Sequence, residues 1–111
     1  DTSFIEDKAD RKLIDDVLNL PLFEDINSYS IYKEYEYFDE INNTNGIIDL
    51  LLVNKKNALI IDYKTTSFDD INYDNQLKTY RRNVSKIFKI DEENIKMYLL
   101  SITRCKIRKV E

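Results

Sequence analysis

The sequence predicts an α/β fold in which helices flank a mixed central sheet, in the order helix, three strands, helix and one or two further strands. Three observations predict it: a helical stripe of apolar residues near the start, two short apolar runs in the middle, and a second helical stripe followed by a strand pattern. A chain of 111 residues supports one modest core, so we predict a single domain over residues 1–111.

The first helix is predicted over residues 5–19, where apolar side chains recur at helical spacing and the pattern stops before Pro21. Residues 30–41, "SIYKEYEYFDEI", are rich in aromatic and β-branched side chains and therefore predict a strand. The polar run "NNTNG" that follows predicts a loop.

Two nearly continuous apolar runs, "GIIDLLLV" (46–53) and "ALIIDYK" (58–64), are separated by "NKKN". This pattern predicts a hairpin whose strands are covered on both faces. Folding the hairpin symmetrically about its turn places Val53 opposite Ala58, and the same register places Asp49 opposite Asp62.

Residues 71–90 return to helical spacing, and residues 95–110 return to a strand pattern that fits one strand or two. The predicted helix has an apolar stripe and a basic side. The stripe contains Tyr73, Leu77, Tyr80, Val84, Ile87 and Phe88, and the basic side contains Lys78, Arg81, Arg82, Lys86 and Lys89.

Charge and cysteine content narrow the class of protein. The net charge is −4, but acidic residues dominate positions 1–74 and basic residues dominate the remainder, which fits either a positive face for nucleic acid or ordinary solvated faces. The single Cys105 excludes an internal disulfide, argues against a zinc or iron–sulfur site, and indicates a cytoplasmic protein. Its apolar runs are far shorter than the roughly 20 residues of a membrane helix, so no membrane partner is expected.

The acidic residues of the hairpin predict a cation site. Asp62 and Lys64 point to the same face of a strand. Asp49 and Asp62 are predicted to face each other across the hairpin, and two ionised carboxylates about 5 Å apart repel by about 3 kcal/mol at an effective dielectric of 20. A divalent cation reverses that sign, and oxygen ligands suit Mg²⁺ or Mn²⁺. The alternative is an ordinary ion pair between Asp62 and Lys64, with Asp49 bonded to a neighbouring loop.

Four pieces, "GIID" (46–49), "IDYKT" (61–65), and the Gln and Tyr of "YDNQLKTY" (73–80), occur in an order that resembles the PD-(D/E)XK nuclease superfamily. The Gln76 and Tyr80 pair resembles the RecB-like branch, which includes the nuclease domains of the RecB and AddA helicase-nucleases. The resemblance covers residues 31 to about 103 and implies a restriction-endonuclease-like αβββαβ core.

The resemblance also implies roles for individual residues. Asp49 and Asp62, together with the backbone carbonyl of Tyr63, would bind Mg²⁺ or Mn²⁺. Lys64 would polarise the attacking water or stabilise charge on the phosphate. Gln76 and Tyr80, one helical turn apart, would steady the substrate or Lys64.

At the level of function, the resemblance implies a metal-dependent deoxyribonuclease, with an exonuclease expected, that serves as the cutting module of a helicase-nuclease in double-strand-break repair and recombination. Its implied partners are DNA, a helicase domain of the same parent chain and a second helicase-nuclease subunit. The sequence begins without Met, so we expect it to be a piece of that longer protein.

One departure from the resemblance keeps two other functions open. Helicase-nuclease relatives have a metal-binding His before the first strand, whereas residues 1–111 contain no His, so this ligand either lies upstream of residue 1 or is missing from the protein. A catalytically inactive DNA-binding module is therefore the main alternative, and a protein-interaction domain with a structural acid pair is the other. Glu34 lies where relatives have an acidic residue, but we expect it to face water.

Overall fold

Five strands form one mixed sheet with the strands arranged in chain order. The computed structural model describes residues 26–64, 71–101 and 106–110, so the helix predicted over residues 5–19 and Cys105 lie outside the described residues. The strands are β1 (Ser30–Asp39), β2 (Thr44–Val53), β3 (Ala58–Lys64), β4 (Ile95–Ser101) and β5 (Lys106–Val110). The predicted α/β class is confirmed, and the region 95–110 forms two strands.

Helix α1 (Ile71–Phe88) connects β3 to β4, which are the one parallel pair in this sheet; the other neighbouring strands are antiparallel. A parallel pair requires a crossover connection, which the helix provides. Short 3₁₀ turns at Ile26–Ser28 and Glu92–Asn94 precede β1 and β4. In the part of the chain that the structure describes, no helix is long and apolar enough to cross a bilayer.

The sheet has buried side chains on both faces, which explains the apolar runs of β2 and β3. On one face, the predicted stripe of α1 packs on the sheet through Leu77, Tyr80 and Val84. On the opposite face lies a second cluster of buried residues. Its members are Leu50, Leu52, Leu59, Ile61, Tyr98 and Leu100. The predicted two-faced burial of the hairpin is therefore confirmed.

The hairpin between β2 and β3 has the predicted register, with pairs from Val53 and Ala58 to Leu50 and Ile61. Its turn is closed by Asn54, whose Oδ1 accepts the backbone N–H of Lys56 at 2.9 Å and of Asn57 at 2.6 Å. Asn favours turns because its side chain replaces a backbone acceptor.

The predicted loop "NNTNG" is partly wrong, because β2 begins at Thr44 rather than at Gly46. The chain turns earlier since the Asp39 carboxylate accepts the backbone N–H of Ile41 at 3.1 Å and the side-chain amide of Asn42 at 2.8 Å. Asn43 takes the left-handed conformation, with φ of 53°, which Asn tolerates better than most residues. The turn is thus built by side chains rather than by Gly46.

Candidate active site

Asp49 lies at a local break in the pairing of β2. The β1–β2 ladder runs through Lys33 and Leu50 and resumes at Tyr35 and Ile48, but it skips Glu34 and Asp49. Glu34 has φ of 49°, a left-handed backbone that is uncommon outside glycine. Such irregularities reorient side chains beside active sites. No local pattern predicted this break, since no glycine marks the position.

The β2–β3 ladder ends immediately before Asp49, and the carboxylate of this residue replaces the next backbone acceptor. The last pair joins Leu50 to Ile61. Beyond it, the Asp49 Oδ2 accepts the backbone N–H of Tyr63 at 2.8 Å. This hydrogen bond fixes the Asp49 side chain on the face of the sheet that α1 covers.

The carboxyl groups of Asp49 and Asp62 lie within hydrogen-bonding reach of each other. Burial, followed by the hydrogen bond to Asp62 and the charge of that group, raises the pKa of Asp49 from 3.8 to about 7. The Tyr63 N–H and the Lys64 charge act in the opposite direction but do not compensate. The pair therefore carries more negative charge than its surroundings readily accommodate.

The Lys64 ammonium lies between the acidic pair and the helix. Its Nζ is 2.8 Å from Asp62 Oδ2 and donates a hydrogen bond to Gln76 Oε1 at 3.2 Å. Asp62 and Lys64 thus share a face, as strand alternation requires. Gln76 lies on α1, so the contact with Lys64 joins helix and sheet at the site.

One oxygen of Asp62 has unused capacity for a ligand. Asp62 is 3% exposed, and its Oδ2 makes no hydrogen bond within the described residues, although the Lys64 ammonium lies 2.8 Å from it in an ion pair. Buried carboxylate oxygens normally have hydrogen-bond partners. This oxygen, beside the Asp49 carboxyl, is therefore suited to a hard cation.

Tyr80 lies on the helix face that covers the acidic pair. Its ring is 6% exposed and meets the ring of Tyr37 edge-on, with 5.9 Å between the ring centroids. Burial, and then the negative charge of Asp62, raises the pKa of Tyr80 well above its ordinary value. The Tyr80 hydroxyl consequently stays protonated, and able to donate, at neutral pH.

The single glycine of the chain supports this aromatic pair. Gly46 lies directly under Tyr37, and a Cβ added at this position would overlap the Tyr37 ring. The close approach explains why the start of β2 has a residue without a side chain. Gly46 thus positions Tyr37, and Tyr37 contacts Tyr80.

The structure places the five side chains predicted for the site in one region and leaves Glu34 exposed, as expected. The fold brings together Asp49, Asp62, Lys64, Gln76 and Tyr80. The Tyr63 carbonyl also has a suitable direction. Because the Tyr63 N–H points toward β2, and the N–H and C=O of one strand residue point to the same side, the carbonyl also points to the β2 side of β3.

The sequence interpretation missed Tyr73, which it assigned only to the apolar stripe of the helix. The Tyr73 ring faces the Lys64 ammonium, with Nζ 4.0 Å from the ring centroid. The available signal was spacing: Tyr73 precedes Gln76 by three positions, and such residues share a helix face.

The basic side of α1 is less available to phosphates than its composition indicates. Arg82 pairs with Asp39 at 2.7 Å, Lys86 pairs with Glu40 at 2.5 Å, and Arg81 lies 3.6 Å from Glu92. Three of the predicted cations thus have acidic neighbours, which reduces the positive field that they present to solvent.

A groove of about 450 Å³ adjoins the site between the start of β2 and the helix. Its lining is uncharged and mixes aromatic, apolar, amide and hydroxyl groups. The lining residues are Tyr37, Asn45, Gly46, Ile47, Gln76, Thr79 and Tyr80. Gln76 and Tyr80 line the groove and are also residues of the candidate site. The groove therefore continues directly into the site.

Within residues 26–64, 71–101 and 106–110, no group of three or more His, Cys, Asp or Glu side chains is placed to hold a metal ion. The acidic pair therefore supplies two carboxylates, the number with which Mg²⁺ is commonly bound in proteins when water completes its coordination.

Comparison with curated proteins gives no match. The family model described as the PD-(D/E)XK nuclease superfamily matches residues 23–111, which include strands β1 to β5, helix α1 and all residues of the candidate site. The sheet, with its helical crossover between β3 and β4, is consistent with the fold of that family. On this match and this architecture, the chain belongs to the PD-(D/E)XK nuclease superfamily.

Proposed function

We propose that this chain is a metal-dependent DNA nuclease domain that hydrolyses phosphodiester bonds. Membership of a nuclease superfamily supports the reaction class. The observation that carries the proposal is the meeting of two carboxyls and one ammonium, from Asp49, Asp62 and Lys64, at the open end of the β2–β3 hairpin.

The residues at this point fit Mg²⁺ or Mn²⁺. Asp62 has a buried oxygen without a hydrogen bond, and burial, together with the neighbouring Asp62 carboxyl, raises the pKa of Asp49. All available donors are oxygens, including the Tyr63 carbonyl on the same side, and such sets suit hard divalent cations. We propose Asp49, Asp62 and the Tyr63 carbonyl as the protein ligands.

When bound, such a cation would supply Lewis-acid chemistry, by making a water more acidic and by neutralising charge on the phosphate. The protein groups act around it. Lys64 provides a compact positive charge for the phosphate in the transition state, and Gln76 holds the Lys64 ammonium in place. Tyr80 provides a neutral hydroxyl that can donate a hydrogen bond to a phosphate or sugar oxygen.

The uncharged groove gives the substrate strand a path away from the acidic pair. Its amide, hydroxyl and aromatic lining is suited to a sugar and base rather than to a phosphate, which requires cations or backbone N–H groups. We therefore place the scissile phosphate at Lys64 and the neighbouring nucleoside in the groove.

We extend the proposal to the biological setting that the sequence resemblance implies. The spacing of Gln76 and Tyr80 supports the RecB-like branch, and on that basis residues 1–111 are proposed as the nuclease module of an AddA/RecB-type helicase-nuclease in break repair and recombination. Its partners would be DNA, a helicase domain of the same parent chain and a second helicase-nuclease subunit, and its action would be exonucleolytic. The single cysteine supports a cytoplasmic location.

The test is cleavage of end-labelled linear DNA and of circular DNA, with Mg²⁺, Mn²⁺ or EDTA. We expect linear DNA to be cut with either metal and the activity to fall at least 100-fold in Asp62→Asn and Lys64→Met, since groups that stabilise transition-state charge have effects of about that size. The controls Asp91→Asn and Lys96→Met make the same two substitutions at exposed residues, and these variants should cut DNA normally. Cleavage that survives in Asp62→Asn and Lys64→Met, or in EDTA, contradicts the proposal.

A second candidate is a DNA-binding module that has the nuclease fold without the activity. Residues 1–111 contain no His, which favours this candidate if the metal-binding His of related enzymes is also missing upstream of residue 1. Binding of DNA that weakens with salt, at a slope near −0.9 per neutralised phosphate, without cleavage in either metal even when the upstream sequence is restored, supports this candidate over the first.

A further inference from the structure

The aromatic ring of Tyr73 lies against the end of the Lys64 side chain. The Nζ atom is 4.0 Å from the ring centroid, well within the range of about 6 Å in which an ammonium is attracted by a ring face. Tyr73 belongs to the first turn of α1 and Lys64 ends β3, so the contact holds the start of the helix to the end of the strand.

The environment strengthens this contact. The Lys64 side chain is 16% exposed, and Tyr73 is half-buried and packs against the core cluster beneath α1. Water, which weakens electrostatic attraction at open surfaces, is therefore largely excluded from the pair.

Among the described residues, three neighbours fix the position of the Lys64 ammonium, and a cation bound at the acidic pair would affect each of them differently. Asp62 is a proposed metal ligand, so part of its negative charge would be engaged elsewhere. Gln76 offers a neutral amide oxygen at 3.2 Å. The Tyr73 ring attracts the ammonium without using any oxygen that the metal or the phosphate requires.

We propose that Tyr73 is a positioning residue, which holds the Lys64 ammonium at the scissile phosphate by presenting its ring face to it. The effect of this contact on DNA cleavage rests on the proposed nuclease function, but the contact itself can be tested without catalysis. The ring, rather than the hydroxyl, does the positioning, and mere apolar bulk at this place does not suffice.

The first experiment measures the contact directly by NMR. The ε-methylene protons of a lysine over a ring face are shifted upfield by the ring current, and Lys64→Met assigns the signal by its disappearance. We expect the upfield shift of Lys64 to persist in Tyr73→Phe and to disappear in Tyr73→Leu. An unchanged Lys64 shift in Tyr73→Leu overturns the proposal.

The second experiment separates positioning from packing by kinetics at saturating Mg²⁺. Tyr73→Phe should have a kcat within about twofold of the unmodified protein, whereas Tyr73→Leu should lose at least fivefold in kcat with little change in KM, because a misplaced Lys64 affects the transition state and not substrate binding. Tyr35→Leu is the matched control, since Tyr35 is a half-buried aromatic residue on the same core cluster, and it should retain kcat. Equal losses in Tyr73→Leu and Tyr35→Leu, or a loss in Tyr73→Phe as large as in Tyr73→Leu, overturn the proposal.

Fluorinated phenylalanines at position 73 cover the case in which Tyr73→Leu does not fold. Each added fluorine reduces the negative charge of the ring face and leaves the shape of the ring nearly unchanged. We expect kcat to fall stepwise from phenylalanine to the trifluorinated ring while Tm stays constant, and a kcat that does not respond to fluorination overturns the proposal. If no variant cuts DNA, the nuclease function fails and the NMR comparison alone decides the contact.

Discussion

Asp49, one position beyond the last pair of the β2–β3 ladder, accepts a hydrogen bond at 2.8 Å from the backbone N–H of Tyr63, which lies two positions beyond Ile61. The carboxylate therefore takes the place of a strand acceptor where the two strands stop pairing. Because this hydrogen bond fixes Asp49, and strand alternation fixes Asp62, the two acids meet without any loop to position them.

The raised pKa of Asp49 predicts an unusual pH dependence. The folded protein holds this proton more tightly than the unfolded chain does, so the stabilisation is complete below pH 3.8 and is lost as the pH rises to about 7. We expect the Tm of the metal-free protein to fall over that interval relative to Asp49→Asn, whose amide still accepts the Tyr63 N–H. Asp91→Asn, at an exposed carboxyl, serves as the control; parallel pH profiles for Asp49→Asn and the unmodified protein would rule the explanation out.

Tyr80→Phe tests the neutral hydroxyl above the acidic pair. Because the ring would still pack edge-on against Tyr37, Tm should change by only a few degrees. The rate of DNA cleavage should fall roughly 10-fold or more, as expected for loss of one hydrogen bond to a charged transition state. Tyr98→Phe removes the same atom from a buried tyrosine on the opposite face of the sheet and should leave cleavage unaffected, and a similar loss in both variants would count against a role for the Tyr80 hydroxyl.

Gly46→Ala tests whether the glycine is required by the Tyr37 ring. The added methyl would overlap a ring that is 8% exposed, so the ring or the strand must shift. We expect the free energy of unfolding to fall by about 1–3 kcal/mol, the usual range for overpacking. Asn45→Ala, at the adjacent exposed residue, should be nearly neutral; equal stability of the two variants in urea would show that the site has room for a methyl group.

Arg82→Met should destabilise the protein by removing the ion pair with Asp39, and it should leave Asp49 and Asp62 in place. Burial raises the pKa of Asp39, but hydrogen bonds from Arg82, Asn42 and the turn backbone outweigh it and lower that pKa below 3.8. The stabilisation is thus present above pH 3.8 and is lost in acid as the pH falls through the lowered pKa.

The measurement for Arg82→Met is Tm at neutral and at acid pH, with Lys86→Met as the control. The Lys86 and Glu40 side chains are 65% and 70% exposed, and such exposed pairs contribute less than about 1 kcal/mol. We expect Arg82→Met to have the larger loss at neutral pH, and the difference from the unmodified protein to shrink in acid. A loss that does not depend on pH would indicate that Arg82 acts by packing alone.

The parts of the fold that were predictable are those fixed by periodicity. Continuous apolar runs in β2 and β3 indicated strands buried on both faces, and the symmetric turn gave the register that brings Asp49 toward Asp62. The helical stripe likewise indicated which side of α1 meets the sheet.

Other features depended on contacts between distant segments and were not predictable from a local pattern. The early start of β2 depends on hydrogen bonds to the Asp39 carboxylate. The break in β1–β2 pairing occurs at the left-handed backbone of Glu34. Arg82, on the basic side of the helix, forms an ion pair with Asp39, which is distant in the sequence. Tyr73 was missed for the same reason. An aromatic residue on an apolar stripe is usually core, and only the position of Lys64 gives its ring another role.

The most direct test of the account is calorimetric titration of the protein with Mn²⁺. We predict a saturable heat of binding in the unmodified chain that is lost in Asp49→Asn and in Asp62→Asn and retained in Asp91→Asn, together with a rise in Tm only where the metal binds. Binding of Mn²⁺ that is equally strong in Asp49→Asn, Asp62→Asn and the unmodified chain would contradict the claim that these two carboxylates form a cation site.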